Sequence, residues 1–195
     1  MSKLTSIAVF CGSSPGIKKE YEEYAIALGK LMAKRGITLV YGGGTKGLMG
    51  TIATAVHEAG GYVIGVLPKA MDKPSVRLRP VENEMLIVND MHERKKTMYE
   101  KADAFIAMSG GIGTIEEISE IYTWRQLGYH EKNIALLNVA GYWDPFIQMI
   151  DKGTKEGFIS PEVQQLLIAD DNIERLLSRL ETEHVRVPEK LGSRT

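Results

Sequence analysis

The sequence predicts an α/β protein, a doubly wound parallel sheet in a single domain. Short apolar runs rich in β-branched residues alternate with amphipathic stretches of helical length along almost the whole chain, which is the signature of parallel strands joined by crossover helices. The length of 195 residues suits one domain with a full core. Glycine-rich segments follow several of the runs, where such sheets place their ligand-binding turns.

Each element has its own signal. Ser6–Cys11 reads as a buried strand, and Lys18–Arg35 as a helix closed by Gly36. Thr38–Tyr41 is a second strand and Gly47–Ala59 a helix closed by Gly60 and Gly61. Tyr62–Leu67 is a third strand. The prolines at 68, 74 and 80 make Pro68–Asn83 an irregular surface loop. Glu84–Val88 is a short strand, Met91–Lys101 a helix, Ala104–Met108 a strand and Thr114–Gly128 a helix. Asn133–Asn138 is a further strand. Asp144-Pro145 gives a helix start with Asp as N-cap, running to about Gly157, and Ser160-Pro161 repeats that signal. Asp170 or Asp171 caps a last helix through Leu180. Residues 1–182 thus form the domain and 183–195 a polar tail.

Composition excludes several classes. The chain is 44% hydrophobic and 25% charged, with a formal net charge of −1. It has no strong cationic excess for a nucleic-acid or membrane partner, so any anion must be held by local geometry. One cysteine, Cys11, rules out an internal disulfide framework. No apolar run reaches transmembrane length and no signal-peptide pattern opens the chain, so the expected compartment is the cytoplasm. Four scattered histidines and one cysteine indicate no metal site. Trp124, Tyr122, Trp143 and the Met91/Met98 pair stand at spacings that suit packing, in the core or between subunits.

Three loops at strand ends carry the chemistry: Gly12-Ser13-Ser14-Pro15-Gly16, Gly42-Gly43-Gly44-Thr45-Lys46-Gly47, and Ser109-Gly110-Gly111-Ile112-Gly113-Thr114. Glycine admits close backbone approach, and the free N–H groups and dipole of a helix start attract an anion. Gly110–Thr114 opens a helix, so its amides and the Thr114 hydroxyl form a candidate phosphate cradle. Glycines that merely permit tight turns would explain one such loop, but three at strand ends point to a ligand site. Neither G-x-G-x-x-G nor a P-loop is present. Glu116 and Glu117 are expected in the first turn of the following helix. There acids ordinarily do no more than stabilise the dipole, by about 0.3–1 kcal/mol each. A carboxylate beside a bound phosphorylated sugar could instead orient water and stabilise an oxocarbenium-like centre. In Met91-His92-Glu93-Arg94-Lys95-Lys96, three cations early in a helix oppose the dipole. Arg94 is the strongest candidate among them, because its fork grips phosphate or carboxylate at two points. Lys96 suits a solvated face and His92 a helix start.

These residues resemble the LOG family, the cytokinin riboside 5′-monophosphate phosphoribohydrolases, often mislabelled lysine decarboxylases. The family hallmark P-G-G-x-G-T-x-x-E stands here as Ser109–Glu117, and M-H-x-R-K as Met91–Lys95. Cys11–Ser14, Tyr41–Gly44, Gly47–Gly50, Thr123-Trp124, Gln126–Gly128 and Asn138…Gly141-Tyr142 match as well. The likeness runs from about Ile7 to Leu180. It implies a Rossmann-like fold, a homodimer, no cofactor, and hydrolysis of the N-glycosidic bond of AMP or N6-substituted AMP to base and ribose 5-phosphate. It implies catalytic roles for Arg94 and Glu117. Gly110, Gly111, Gly113 and Thr114 would hold the phosphate, Lys95, Glu116 and Thr123 would line the site, and Ser13 and Gly43 would border it. The sequence departs from the pattern twice. Ser109 replaces the motif proline, and Pro74-Ser75-Val76-Arg77 lacks the acid that relatives carry after the third strand.

Three rival readings fit the residues less well. A non-catalytic nucleotide or molybdenum-cofactor carrier on the same fold is opposed by the intact Arg94 and Glu117. A pyridoxal-phosphate lysine decarboxylase needs a Schiff-base lysine that no residue here suggests. A redox Rossmann enzyme lacks the dinucleotide fingerprint.

Overall fold

The computed structural model describes residues 4–73, 76 and 81–185. Among them, seven strands form one parallel sheet in the order β4-β3-β2-β1-β5-β6-β7. In chain order the elements are β1 (Ser6–Phe10), α1 (Lys19–Arg35), β2 (Thr38–Tyr41), α2 (Gly47–Glu58), β3 (Val63–Pro68), β4 (Glu84–Val88), α3 (Met91–Lys101), β5 (Ala104–Ala107), α4 (Ile112–Gln126), β6 (Ile134–Leu137), α5 (Asp144–Lys155), α6 (Pro161–Gln164), β7 (Leu167–Asp170) and α7 (Ile173–Thr182). The doubly wound architecture is as the alternation predicts. Strand order reverses between β1 and β5, which pair in parallel from Ile7↔Ala104 to Phe10↔Ala107. A sheet of this kind opens its ligand crevice at the carboxyl ends of the two strands flanking that reversal.

Alternation along β1 assigns the two cores. Ile7 and Val9 face one layer, with Leu28 and Met32 of α1, Ile52 and Val56 of α2, and Leu176 and Leu180 of α7. Ala8 and Phe10 face the other, with Met98 of α3, Ile118 of α4, Trp143 and Val163. Each large side chain removed from water contributes about 1.5–3 kcal/mol. The central strands are buried on both faces, so they read as unbroken apolar runs.

Several local expectations are corrected. The Ser160-Pro161 signal starts only the single turn of α6, capped by Ser160 through Val163 N, and the chain then enters an unforeseen strand, β7. β7 pairs with β6 from Ile134↔Leu167 to Leu137↔Asp170. Neither Asp170 nor Asp171 caps the last helix. The Asn172 side chain accepts from Arg175 N at 2.9 Å, while the buried Asp170 carboxylate receives Arg175 Nε and Nη2, both at 2.6 Å. Asp144 is the first residue of α5 and caps nothing; its carboxylate accepts from Asn138 Nδ2 at 2.7 Å. The loop after β3 holds one short 3₁₀ turn, Lys69–Met71, and Pro74 and Pro80 lie outside the described residues, as does the tail from 186 onward. Trp143, Tyr122 and Met98 are core residues, whereas Met91 is exposed.

Candidate active site

The three glycine-rich loops leave β2, β1 and β5, adjacent strands at the reversal, and they are stitched together by backbone bonds. Gly12 N donates to Ser109 O at 3.0 Å, and Met49 N to Gly12 O at 3.3 Å. Their glycines are required by contact. A Cβ on Gly110 would lie 2.2 Å from Thr114 Oγ1 and 2.8 Å from Gly12 N, and one on Gly47, whose φ is +60°, would lie 2.3 Å from the Ser13 carbonyl carbon. Ser13 is thereby pressed by its backbone against the start of α2 while its side chain stays exposed. Gly43 adopts a φ of +72° and packs beside Leu67 and Met85. Gly111 and Gly113 differ from these, since a Cβ on either meets nothing within 4 Å. No neighbour among the described residues demands glycine there.

The helix starts explain what that open space is suited to hold. α3, α6 and α7 each close their first turn with a side chain, from Asp90, Ser160 and Asn172. α1, α2 and α4, which follow the three loops, begin without a side-chain cap, as does α5. α4 also has no acid in its first turn, so its positive end faces the crevice uncompensated. This corrects one expectation. The helix begins at Ile112 rather than Thr114, which moves Glu116 and Glu117 into the second turn, beyond the reach of the end dipole.

Glu117 points inward and meets Arg94 of α3, both buried, with Arg94 Nη1 at 3.1 Å from Glu117 Oε1. Arg94 is held from two further sides, donating from Nε to Val66 O at 3.2 Å and from Nη2 to Gly42 O at 3.4 Å. A guanidinium with three separate acceptors is fixed in orientation. Burial raises the Glu117 pKa above the ordinary glutamate value; the Arg94 charge opposes that rise and Glu116 adds to it. Cys11, at the end of β1, is a buried thiol kept neutral, its pKa raised by burial and by Glu117 against the pull of Arg94.

The remaining predicted residues form a second layer around this pair. Thr114 is buried with its hydroxyl beside Gly110. Lys95 binds Glu116 at 2.5 Å and Glu120 at 3.0 Å. Burial pulls the lysine pKa down, but its two carboxylate partners outweigh that and raise it. Thr123 is not gathered with the others. It lies about 9 Å further along α4 than Glu117, at 1.5 Å per residue, and is exposed, its hydroxyl donating to Ser119 O at 2.8 Å. Ser109, in place of the motif proline, is buried, and its hydroxyl has no hydrogen-bond partner among the described residues. Of the acid-free stretch 74–77, only Val76 is described; its carbonyl accepts from Thr45 N at 3.1 Å and Thr45 Oγ1 at 2.5 Å, which fastens it to the second glycine loop. The next acid, Glu82, accepts from the Tyr41 hydroxyl. Sequence reasoning missed the role of Gly42, whose absent side chain leaves room for the Arg94 guanidinium, because only the folded structure brings α3 over β2.

Known proteins resemble this chain over most of its length. The profile of a family described as "Possible lysine decarboxylase" matches residues 49–180. The chain is 47% identical over 180 residues to the cytokinin riboside 5′-monophosphate phosphoribohydrolase LOG of Oryza sativa subsp. japonica, covering 92% of this chain and 74% of that protein. The chain belongs to the LOG family. A second member, the LOG3 phosphoribohydrolase of Arabidopsis thaliana, is 45% identical over 193 residues, covering 97% of this chain and 89% of its own length. The LOG fold extends to more distant proteins. A molybdenum cofactor binding protein from Rippkaea orientalis superposes with a TM-score of 0.67 at 18% identity, over 91% of this chain and 96% of its own. At that identity the likeness is one of fold.

Proposed function

We propose that this protein hydrolyses the N-glycosidic bond of a purine nucleoside 5′-monophosphate, AMP or an N6-substituted, cytokinin-type AMP, to the free base and ribose 5-phosphate. The observation that carries the reading is the buried Arg94–Glu117 pair in the crevice entered by the uncapped start of α4. In this reading the phosphate sits on the amides of Gly111, Gly113 and Thr114, with Gly110 and the Thr114 hydroxyl completing the cradle. The anchored tail fixes the ribose so that its C1′ faces the Glu117 carboxylate. As the C1′–N bond breaks, its electron pair leaves with the base and positive charge grows on the sugar, which the carboxylate stabilises. Water adds its hydroxyl to C1′, and its remaining proton accounts for the proton gained by the base. Arg94 holds the carboxylate ionised and aimed. Lys95, through Glu116, keeps the flank of α4 in place, and Ser13 and Gly43 border the crevice.

We further infer a cytoplasmic homodimer. Met91, Leu127 and Tyr129 leave apolar surface exposed beside α3 and α4, and the exposed Thr123 suits a site completed by a second copy. Among the described residues no helix is long and apolar enough to cross a membrane. The reading is tested by incubating the protein with AMP, N6-prenylated AMP and the corresponding nucleosides and separating the products by chromatography. Base release from the monophosphates alone, abolished in Glu117→Gln and Arg94→Ala with the fold intact, is the expected result. Near-normal turnover by both variants refutes it.

A further inference from the structure

The turn between β6 and α5 is built to present one side chain. Ala140 has a φ of +52°, the sole positive value at a non-glycine position among the described residues, and Gly141 follows at +71°. A left-handed alanine is strained and persists only where the surroundings over-determine it. Here they do. Asn138 Oδ1 accepts from Trp143 N at 2.7 Å, Asn138 Nδ2 donates to Asp144 Oδ1 at 2.7 Å, and Trp143 is buried in the core. Between these anchors stands Tyr142. Its ring meets Tyr21 of α1 edge-on at 5.9 Å and Trp143 at 5.4 Å, and its hydroxyl donates to the carbonyl of Gly110.

That carbonyl belongs to the peptide unit that also carries the Gly111 N–H. In a trans peptide the two groups point in opposite directions, so an oxygen fixed on one side fixes the hydrogen on the other. The unit is flanked by glycine on both sides, which leaves its rotation nearly free of steric control. The side of Gly111 on which a Cβ would project is open, with nothing within 4 Å among the described residues. We propose that Tyr142 is a positioning residue of the phosphate cradle: its hydroxyl pins the Gly110 carbonyl and thereby aims the Gly111 N–H at the phosphate of the substrate. The inference rests on the phosphoribohydrolase reading above and adds a residue to it. Tyr142 touches no reacting atom in this scheme. It acts on ground-state and transition-state binding alike, through a backbone amide.

Tyr142→Phe deletes the hydroxyl and keeps the ring against Tyr21 and Trp143. Ribose 5-phosphate binding is measured by calorimetry for both proteins, alongside AMP kinetics, adenosine inhibition and thermal melting. The expected result is a Kd for ribose 5-phosphate and a KM for AMP both raised about tenfold, with kcat within about twofold, adenosine inhibition unchanged and an undisturbed melt. Equal ribose 5-phosphate affinity in the two proteins overturns the inference, as does a fall in kcat with KM unchanged, or weakened adenosine inhibition. If the wild type binds ribose 5-phosphate but cleaves no monophosphate, the proposed function fails, and the titration still decides the role of Tyr142. A wild type that binds no ribose 5-phosphate overturns both.

Discussion

A Cβ placed on Gly42 would sit 1.8 Å from Nη2 of Arg94. The guanidinium occupies the space that every other amino acid at this position would fill, and its donation to the Gly42 carbonyl depends on that closeness. Gly42→Ala must therefore push Arg94 out of its threefold grip. The expected outcome is a folded protein whose kcat/KM for AMP falls about a hundredfold, the scale of loss when a catalytic group is misplaced by an ångström. Circular dichroism with steady-state kinetics checks it, and an active Gly42→Ala variant would mean that catalysis does not need the Arg94 guanidinium in this position.

Gly113 offers the opposite case. It lies within the first turn of α4, and an added methyl group meets nothing. Gly113→Ala is expected to raise stability, by up to about 1 kcal/mol from helix propensity alone, while raising KM for the monophosphate because the methyl intrudes on the cradle. Denaturant titration and kinetics on one preparation read both effects. A gain in stability with unchanged KM would remove Gly113 from the phosphate site.

The pH profile should carry the mark of Glu117. Burial raises its pKa above the ordinary 4.5, against the pull of Arg94. In the proposed reaction the ionised form is the active one, so kcat/KM is expected to fall as pH drops through that raised value, with the acid limb above the usual carboxylate range. Arg94→Gln removes the opposing charge, so any residual activity should show the limb displaced to still higher pH. Linkage sets the sign for stability. A carboxyl whose folded pKa is raised favours the fold at low pH, and that contribution is lost as pH rises through the folded value. Wild type therefore loses stability relative to Glu117→Gln over the same interval.

His130 titrates in the other direction. Its pKa is lowered to about 4, first by burial and further by Arg125 and Lys132, despite the bond to Ile121. The neutral ring uses both nitrogens, Nε2 toward Ile121 O at 3.0 Å and Nδ1 accepting from Lys132 N at 3.1 Å. A histidine held neutral stabilises the fold above its unfolded pKa near 6.5, and this is lost as pH falls toward about 4. Proton NMR should find this ring uncharged at pH 5.5, and melting temperature should decline through the window less steeply in His130→Asn. A ring that protonates near pH 6.5 would contradict the burial argument.

Much of this was legible in the residue order. Glu84–Val88 and Met91–Lys101 have the bounds the sequence predicts. β7 was not legible. Gln164–Asp170 continues the apolar spacing begun at Ser160-Pro161, and four residues are too few to separate strand from helix by period. Pairing with β6 decides it. Three adjacent cap-forming residues, Asp170 to Asn172, hid the true cap, since the choice depends on which carboxylate Arg175 captures. In the site, the residue types of Arg94 and Glu117 were readable, but their contact was not. Nor was the part played by Tyr142, which acts on a backbone carbonyl 32 residues away.

Arg94 and Glu117 stand on the two helices that flank β5, one entering it and the other leaving it. The buried pair is thus carried by a single contiguous helix–strand–helix passage, while the Gly12 and Gly42 loops and the chain after β3 precede it in sequence. The pair and the carbonyls that support it are therefore encoded on separate stretches. Because Gly42 and Val66 hold the Arg94 guanidinium by their carbonyls, a change in the N-terminal half reaches the pair through one side chain, and the two halves of the gene product must vary in concert for the crevice to keep its geometry.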